Sequence, residues 1–170
     1  MSVAWNTLVW QQFGAAIDML DNALLTCPDE HWRDSLWDDP TDAPGYTELW
    51  FVAYHTVAWL DRYLSGAPQG FTPPAPFVAG RLPDQPYTKA EVQAYLAECR
   101  RKCQATFTTL TDEKANQPCQ FPWGEQVSFA ELQLYNMRHV QEHAAQLSLH
   151  LGRTTGAAPD WVARAEDKSA

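Results

Sequence analysis

Positive charge is scarce in this chain of 170 residues: 12 lysines and arginines face 21 aspartates and glutamates, leaving a net charge of −9. Phosphate backbones are held by clustered basic side chains, and here the few are scattered, so no nucleic-acid partner is expected. The same balance argues against electrostatic docking on an anionic membrane. A long hydrophobic run is missing too. The longest, Leu49 to Leu60, is interrupted by His55 and is too short to span a bilayer. The start, Met1-Ser-Val-Ala-Trp-Asn, has no basic region ahead of an apolar stretch, so a cytoplasmic protein without a secretory signal is expected. The four cysteines, Cys27, Cys99, Cys103 and Cys119, contain no Cys-x-x-Cys pair, and without secretion no structural disulfide is expected. Cys99 and Cys103 stand four apart, which reads as two small apolar side chains on one helix face rather than a ligand or redox pair. Strand alternation and internal repeats are absent as well.

What remains is helical. Hydrophobic residues make up 45% of the chain, enough for one substantial core in a single domain. A first helix is predicted from Val3 to Thr26, with Leu8, Phe13, Ile17, Leu20 and Leu24 at helical spacing and Pro28 just beyond. A second runs from Thr47 to Ser65 and stops at Gly66, a natural left-handed cap. A third opens at Thr88-Lys-Ala-Glu91 and reaches Leu110. A fourth opens at Ser128-Phe-Ala-Glu131 and runs to Leu151, with Gly152 after it. Both openings have the capping-box pattern. Between helices two and three, Gly66 to Tyr87 is rich in proline and glycine and reads as a long surface crossover. The economical architecture is all-α: a four-helix bundle over residues 1–152 with a Pro-rich crossover between helices two and three, then a tail over 153–170 that is small and polar apart from Trp161.

The chemistry sits in helix four. His139 and His143 are four residues apart, which stacks two imidazoles on one helix face. At 100° per residue, Asn136, His139, His143, Gln146 and His150 share one arc on the core-facing side. Each such polar group costs roughly 1–3 kcal/mol if buried without a partner, so something must satisfy the row. Helix two is apolar nearly all round and carries His55 in its middle, on a face with Phe51, Val52 and Trp59. Neutral imidazole is the commonest metal ligand near neutral pH, so His55, His139 and His143 are candidate ligands. Three protein ligands leave a coordination position open, the pattern of catalytic sites. The plain alternative is a set of satisfied core histidines. Gln146 and Asn136 are candidates to orient the ligands, and Glu48 or Arg62, two turns from His55, to meet substrate. His150 lies about 10 Å beyond His143 along the axis, too far for the same ion; it lines a cavity or caps the helix. His31 sits in an interhelical loop and reads as exposed.

At these residues the chain resembles the DinB-like superfamily. The matching pieces are Glu48-Leu-Trp-Phe-Val-Ala-Tyr-His55-Thr-Val-Ala-Trp-Leu-Asp61, Trp123-Gly124, and His139-x3-His143-x2-Gln146-Leu147. The resemblance implies a four-helix bundle with a long crossover and a divalent metal ion, most often nickel or zinc. On this sequence the implied ligands are His55 from helix two with His139 and His143 from helix four. It further implies a low-molecular-weight-thiol S-transferase acting on a small-molecule substrate, with the thiol as a second cofactor. A metal-dependent hydrolase is the neighbouring possibility. The alternative of another class is a non-catalytic metal- or ligand-binding bundle acting through protein contacts. Eight tryptophans, Trp5, Trp10 and Trp161 among them, could support a homodimer interface, though core packing explains most of them equally well.

Overall fold

A computed structural model describes residues 4–38, 41, 45–67, 70–78 and 81–165. The chain is mostly helical. Its elements are α1 (Trp5–Thr26), a 3-10 turn (Asp29–His31), α2 (Leu49–Ser65), α3 (Lys89–Thr108), a single turn α4 (Asp112–Ala115), strands β1 (Pro118–Gln120) and β2 (Gln126–Ser128), and α5 (Phe129–Thr155). Helix α1 packs on α3 and α5, and α2 packs on the same two. Among the described residues, no helix is long and apolar enough to cross a membrane.

The helix ends follow their local chemistry. Thr88 caps α3 with the full reciprocal box to Glu91, and the Ser128 hydroxyl accepts from the Glu131 N–H at the start of α5. Gly66 closes α2 at φ +69°, a conformation that costs glycine nothing. Helix α5 runs through Gly152 to Thr155 and is capped by Gly156 at φ +77°, one turn later than the sequence suggests. Glycine inside a helix is a weak stop when the packed face continues beyond it. The expected start of the first helix at Val3 lies outside the described residues.

The core is lined by the predicted stripe of α1, where Phe13, Ile17, Leu20 and Leu24 are wholly buried, each worth roughly 1.5–3 kcal/mol of apolar transfer. Leu8, grouped with them by spacing, is exposed instead. Cys99 and Cys103 are buried and unbonded, and burial pushes both thiols well above their ordinary pKa, consistent with apolar packing. Two buried carboxylates are paired: Asp18 with Arg100, and Asp61 with the Tyr95 hydroxyl and Lys102.

The expectation of an all-α chain needs one correction. Strands β1 and β2 form an antiparallel hairpin in the register Pro118↔Ser128, Cys119↔Val127 and Gln120↔Gln126. Strands of three residues are too short to show alternation. The hairpin covers its own small cluster of Tyr63, Cys119, Phe121, Phe129 and Leu132.

Two segments without regular structure are nonetheless pinned. Between α2 and α3, the Tyr54 hydroxyl donates to the Val78 carbonyl, the Tyr87 hydroxyl accepts from the Val78 N–H, and the Phe77 ring stacks on Tyr54 and Tyr95. Pro68, part of the expected crossover, lies outside the described residues. After Gly156 the chain turns back along α1, where Ala165 N–H donates to Gln11 and Asn22 donates to the Asp160 carbonyl.

Candidate metal centre

Helix α2 contributes His55, and α5 contributes His139 and His143. One nitrogen from each ring lies within 4.8 Å of the other two. The ring centroids are 5.2 Å apart for His55 and His139, 5.3 Å for His55 and His143, and 4.6 Å for His139 and His143. The three rings therefore converge, as the spacing in α5 and the lone histidine of α2 suggest.

Backbone ties fix the register between the two helices. Asn136 is fully buried and donates from Nδ2 to the Leu60 carbonyl at 3.1 Å, while Gln133 donates to the Tyr63 carbonyl at 2.7 Å. The polar row of α5 thus has two uses. Asn136, with Gln133 outside the row, clamps α5 to α2, and the next members, His139 and His143, converge on His55. Asn136 hydrogen-bonds to the Leu60 carbonyl and to Gln133 rather than to a candidate ligand ring.

Gln146 does orient one. Its Oε1 lies 2.7 Å from His143 Nδ1. An amide oxygen only accepts, so Nδ1 carries a proton and Nε2 is the nitrogen left to serve as a ligand atom. His55 Nε2 and His139 Nε2 face one another at 3.2 Å. Two imidazole nitrogens at ordinary metal distances, about 2.0–2.1 Å, stand about 3.3 Å apart across a tetrahedral angle. The observed separation fits. His139 Nδ1 is buried without a hydrogen-bond partner. Burial, then the nearby His143, pushes the His55 pKa down to about 4. Burial, with His143 and His55 adding to it, pushes His139 down to about 3. Both rings are neutral at pH 7, the form that binds a metal. Three imidazoles suit zinc, nickel, copper and iron alike.

A cavity of about 400 Å³ opens onto His55 and His143. Its walls are aromatic, built from Trp37, Tyr46, Phe51, Tyr54, Trp59 and Phe71. Arg62 and Arg81 line it as well, and the Arg62 guanidinium lies over the Trp59 ring at 4.6 Å. Glu48 is elsewhere: it pairs with Arg33 at 2.9 Å and accepts from the Trp50 indole. Of the two charged candidates flanking His55, only Arg62 reaches the cavity. Trp37, Tyr46, Phe71 and Arg81 come from interhelical segments, where no periodicity marks a functional side chain.

His31 and His150 lie outside the three-ring cluster. Both are partly buried and meet on Asp34, whose Oδ2 is 2.7 Å from His31 Nδ1 and 3.1 Å from His150 Nε2. His150 thus ties the end of α5 to the loop before α2.

The model of the DinB superfamily matches residues 9–147, which include all three converging histidines. No functionally curated protein matches the chain. Among solved structures, a crystal structure of a DinB-like protein from Bacillus subtilis is similar. It aligns with a TM-score of 0.57 at 12% identity, over 91% of this chain and 98% of that one. At that identity the likeness concerns the fold alone.

Proposed function

Because this chain belongs to the DinB superfamily, we propose that it is a divalent-metal-dependent enzyme, holding nickel or zinc on His55, His139 and His143. The observation that carries the reading is the convergence of three imidazoles, one nitrogen from each within 4.8 Å of the others, at the end of an aromatic cavity. A metal bound there would supply a positive charge that lowers the pKa of an incoming thiol, the chemistry of a low-molecular-weight-thiol S-transferase.

The chain's own residues have separable tasks in this reading. Gln146 holds the His143 proton on Nδ1, keeping Nε2 available as a ligand atom. Asn136 and Gln133 keep α5 at the right height against α2. The aromatic walls exclude water from around the reacting groups, which strengthens electrostatic interactions there. A small molecule is the substrate, and we read the scaffold as a four-helix bundle with the Pro-rich segment as its crossover. We place the protein in the cytoplasm, and the acidic net charge supports a setting away from nucleic acid and anionic membrane.

A metal-dependent hydrolase would use the same three ligands with water in place of the thiol. Against a closed, purely structural site stands the cavity that reaches His55 and His143. The test is elemental analysis of untagged protein beside His55→Ala and His139→Ala variants. Near-stoichiometric metal in the parent and its loss from both variants is the expected result. A parent chain that holds no metal, and takes up none when zinc or nickel is added, would sink the reading.

A further inference from the structure

The described residues that line the cavity beside the three histidines carry charge of the sign opposite to the chain's net charge. The chain as a whole carries −9. Among the described residues lining the cavity there is no aspartate or glutamate, while Arg62 and Arg81 are both present. Among the described lining residues, an anion near the mouth therefore meets two permanent cations and no carboxylate, while the net acidic charge of the chain disfavours it elsewhere.

The rest of the wall is apolar and flat. Phe51, Trp59 and Phe71 present rings, and the Arg62 guanidinium rests on the Trp59 face. A guanidinium over an aromatic ring is held by cation–π attraction and keeps its positive charge and its several N–H donors. Arg62 is partly buried on α2 and Arg81 is exposed in the segment before α3, so Arg62 is the less screened of the pair. The volume, about 400 Å³, suits a small organic molecule and not a polymer chain.

We infer that the cavity binds an amphipathic organic anion: an aromatic or otherwise apolar body seated among the rings, with one carboxylate, sulfonate or phosphate met by Arg62 and Arg81. That it is the enzyme's substrate rests on the catalytic reading above; that it binds does not. The three head groups share one chemistry, a compact anion accepting charge-assisted hydrogen bonds.

The test uses two fluorescent probes with the same ring systems, anilinonaphthalene sulfonate and the uncharged N-phenyl-1-naphthylamine. Both are titrated into chelator-treated full-length protein, so that no metal supplies the positive charge. The sulfonate should bind roughly tenfold more tightly or better, the size of one charge-assisted contact. In the double variant Arg62→Met/Arg81→Met that preference should vanish while the neutral probe keeps its affinity. Retention of the neutral probe also reports that the variant's cavity is intact. Equal binding of the two probes overturns the inference. So does a sulfonate preference that survives the double substitution, a variant that loses both probes, or binding of neither probe by the parent. Metal analysis separates the two readings. A sulfonate preference in a protein that never takes up metal leaves the binding site standing and removes the metalloenzyme. Metal uptake without the preference does the reverse.

Discussion

Gln146 Oε1 accepts the proton of His143 Nδ1 at 2.7 Å, one turn along the same helix, and so decides which nitrogen of that ring can act as a ligand. Replacing Gln146 with Leu removes this constraint without touching a candidate ligand. Metal affinity should fall by roughly 10–100-fold, read by competition with a chromophoric chelator. The Gln146→Glu variant, which still accepts from Nδ1, should retain most of it. Equal affinity in the parent and the Leu variant would show that the contact does not position the ring.

Acid should destabilise the metal-free protein earlier than its carboxylates alone would. The folded pKa values of His55 and His139, about 4 and about 3, lie below the unfolded value of 6.5. Between those limits the unfolded chain binds more protons, so stability is fully present above pH 6.5 and is lost as pH falls toward 4. At pH 5 the loss should be roughly 1–2 kcal/mol for each histidine. Urea unfolding at pH 7.5 and pH 5 measures it, and the His55→Leu/His139→Leu double variant should show a flatter pH response. A parent and a double variant with identical pH slopes would contradict the assignment.

Asp34 is predicted to be a structural clamp with no part in the metal centre. Its carboxyl lies below the ordinary carboxylate range: burial pushes it up, but the hydrogen bonds from His31 and His150 outweigh that. Asp34→Asn should cost about 1 kcal/mol of stability at pH 7 and leave metal stoichiometry unchanged. Metal loss in this variant, with thermal stability intact, would instead place Asp34 in the site.

Gly14 sits in α1 where the returning tail crosses it. A Cβ built there would stand 2.5 Å from the Ala165 Cβ and 2.9 Å from the Trp10 ring. Gly14→Ala should therefore lift residues 157–165 off the helix. The helix itself gains up to about 1 kcal/mol in propensity, so the melting temperature should move little. Limited proteolysis should cut the variant's tail markedly faster; an unchanged cleavage rate would mean that the tail tolerates the extra methyl group in place.

The four long helices and the convergence of His55, His139 and His143 were legible because both rest on a period of 3.6 residues. Asn136 and Gln146 shared the same arc, yet periodicity alone could not separate the clamp from the orienting group. That distinction depends on what α2 presents at each height: the Leu60 carbonyl at one level and His55 at another. Glu48 looked equivalent to Arg62 about His55, but it stands at the N-cap of α2 beside Arg33, 15 positions earlier in the chain and outside the helix whose periodicity was read. The hairpin fell below the length at which alternation can be seen. His31 and Asp34 are three positions apart, but the contact of His150 with Asp34 spans 116 positions and leaves no local trace.

The candidate ligands stand on α2 and α5, whereas Trp37, Tyr46, Phe71 and Arg81 reach the cavity from the segments that connect helices. On the proposed reading, the ligands stand wholly on helices, whereas part of the cavity wall, beside Phe51, Tyr54, Trp59 and Arg62 of α2, comes from connecting segments. Connecting segments tolerate substitution and changes of length far better than packed helices do. Divergent descendants of this scaffold could exchange one small molecule for another by rewriting those connections, with the imidazoles left in place. A set of loop chimeras on a constant α2–α5 frame would be the natural way to retarget it.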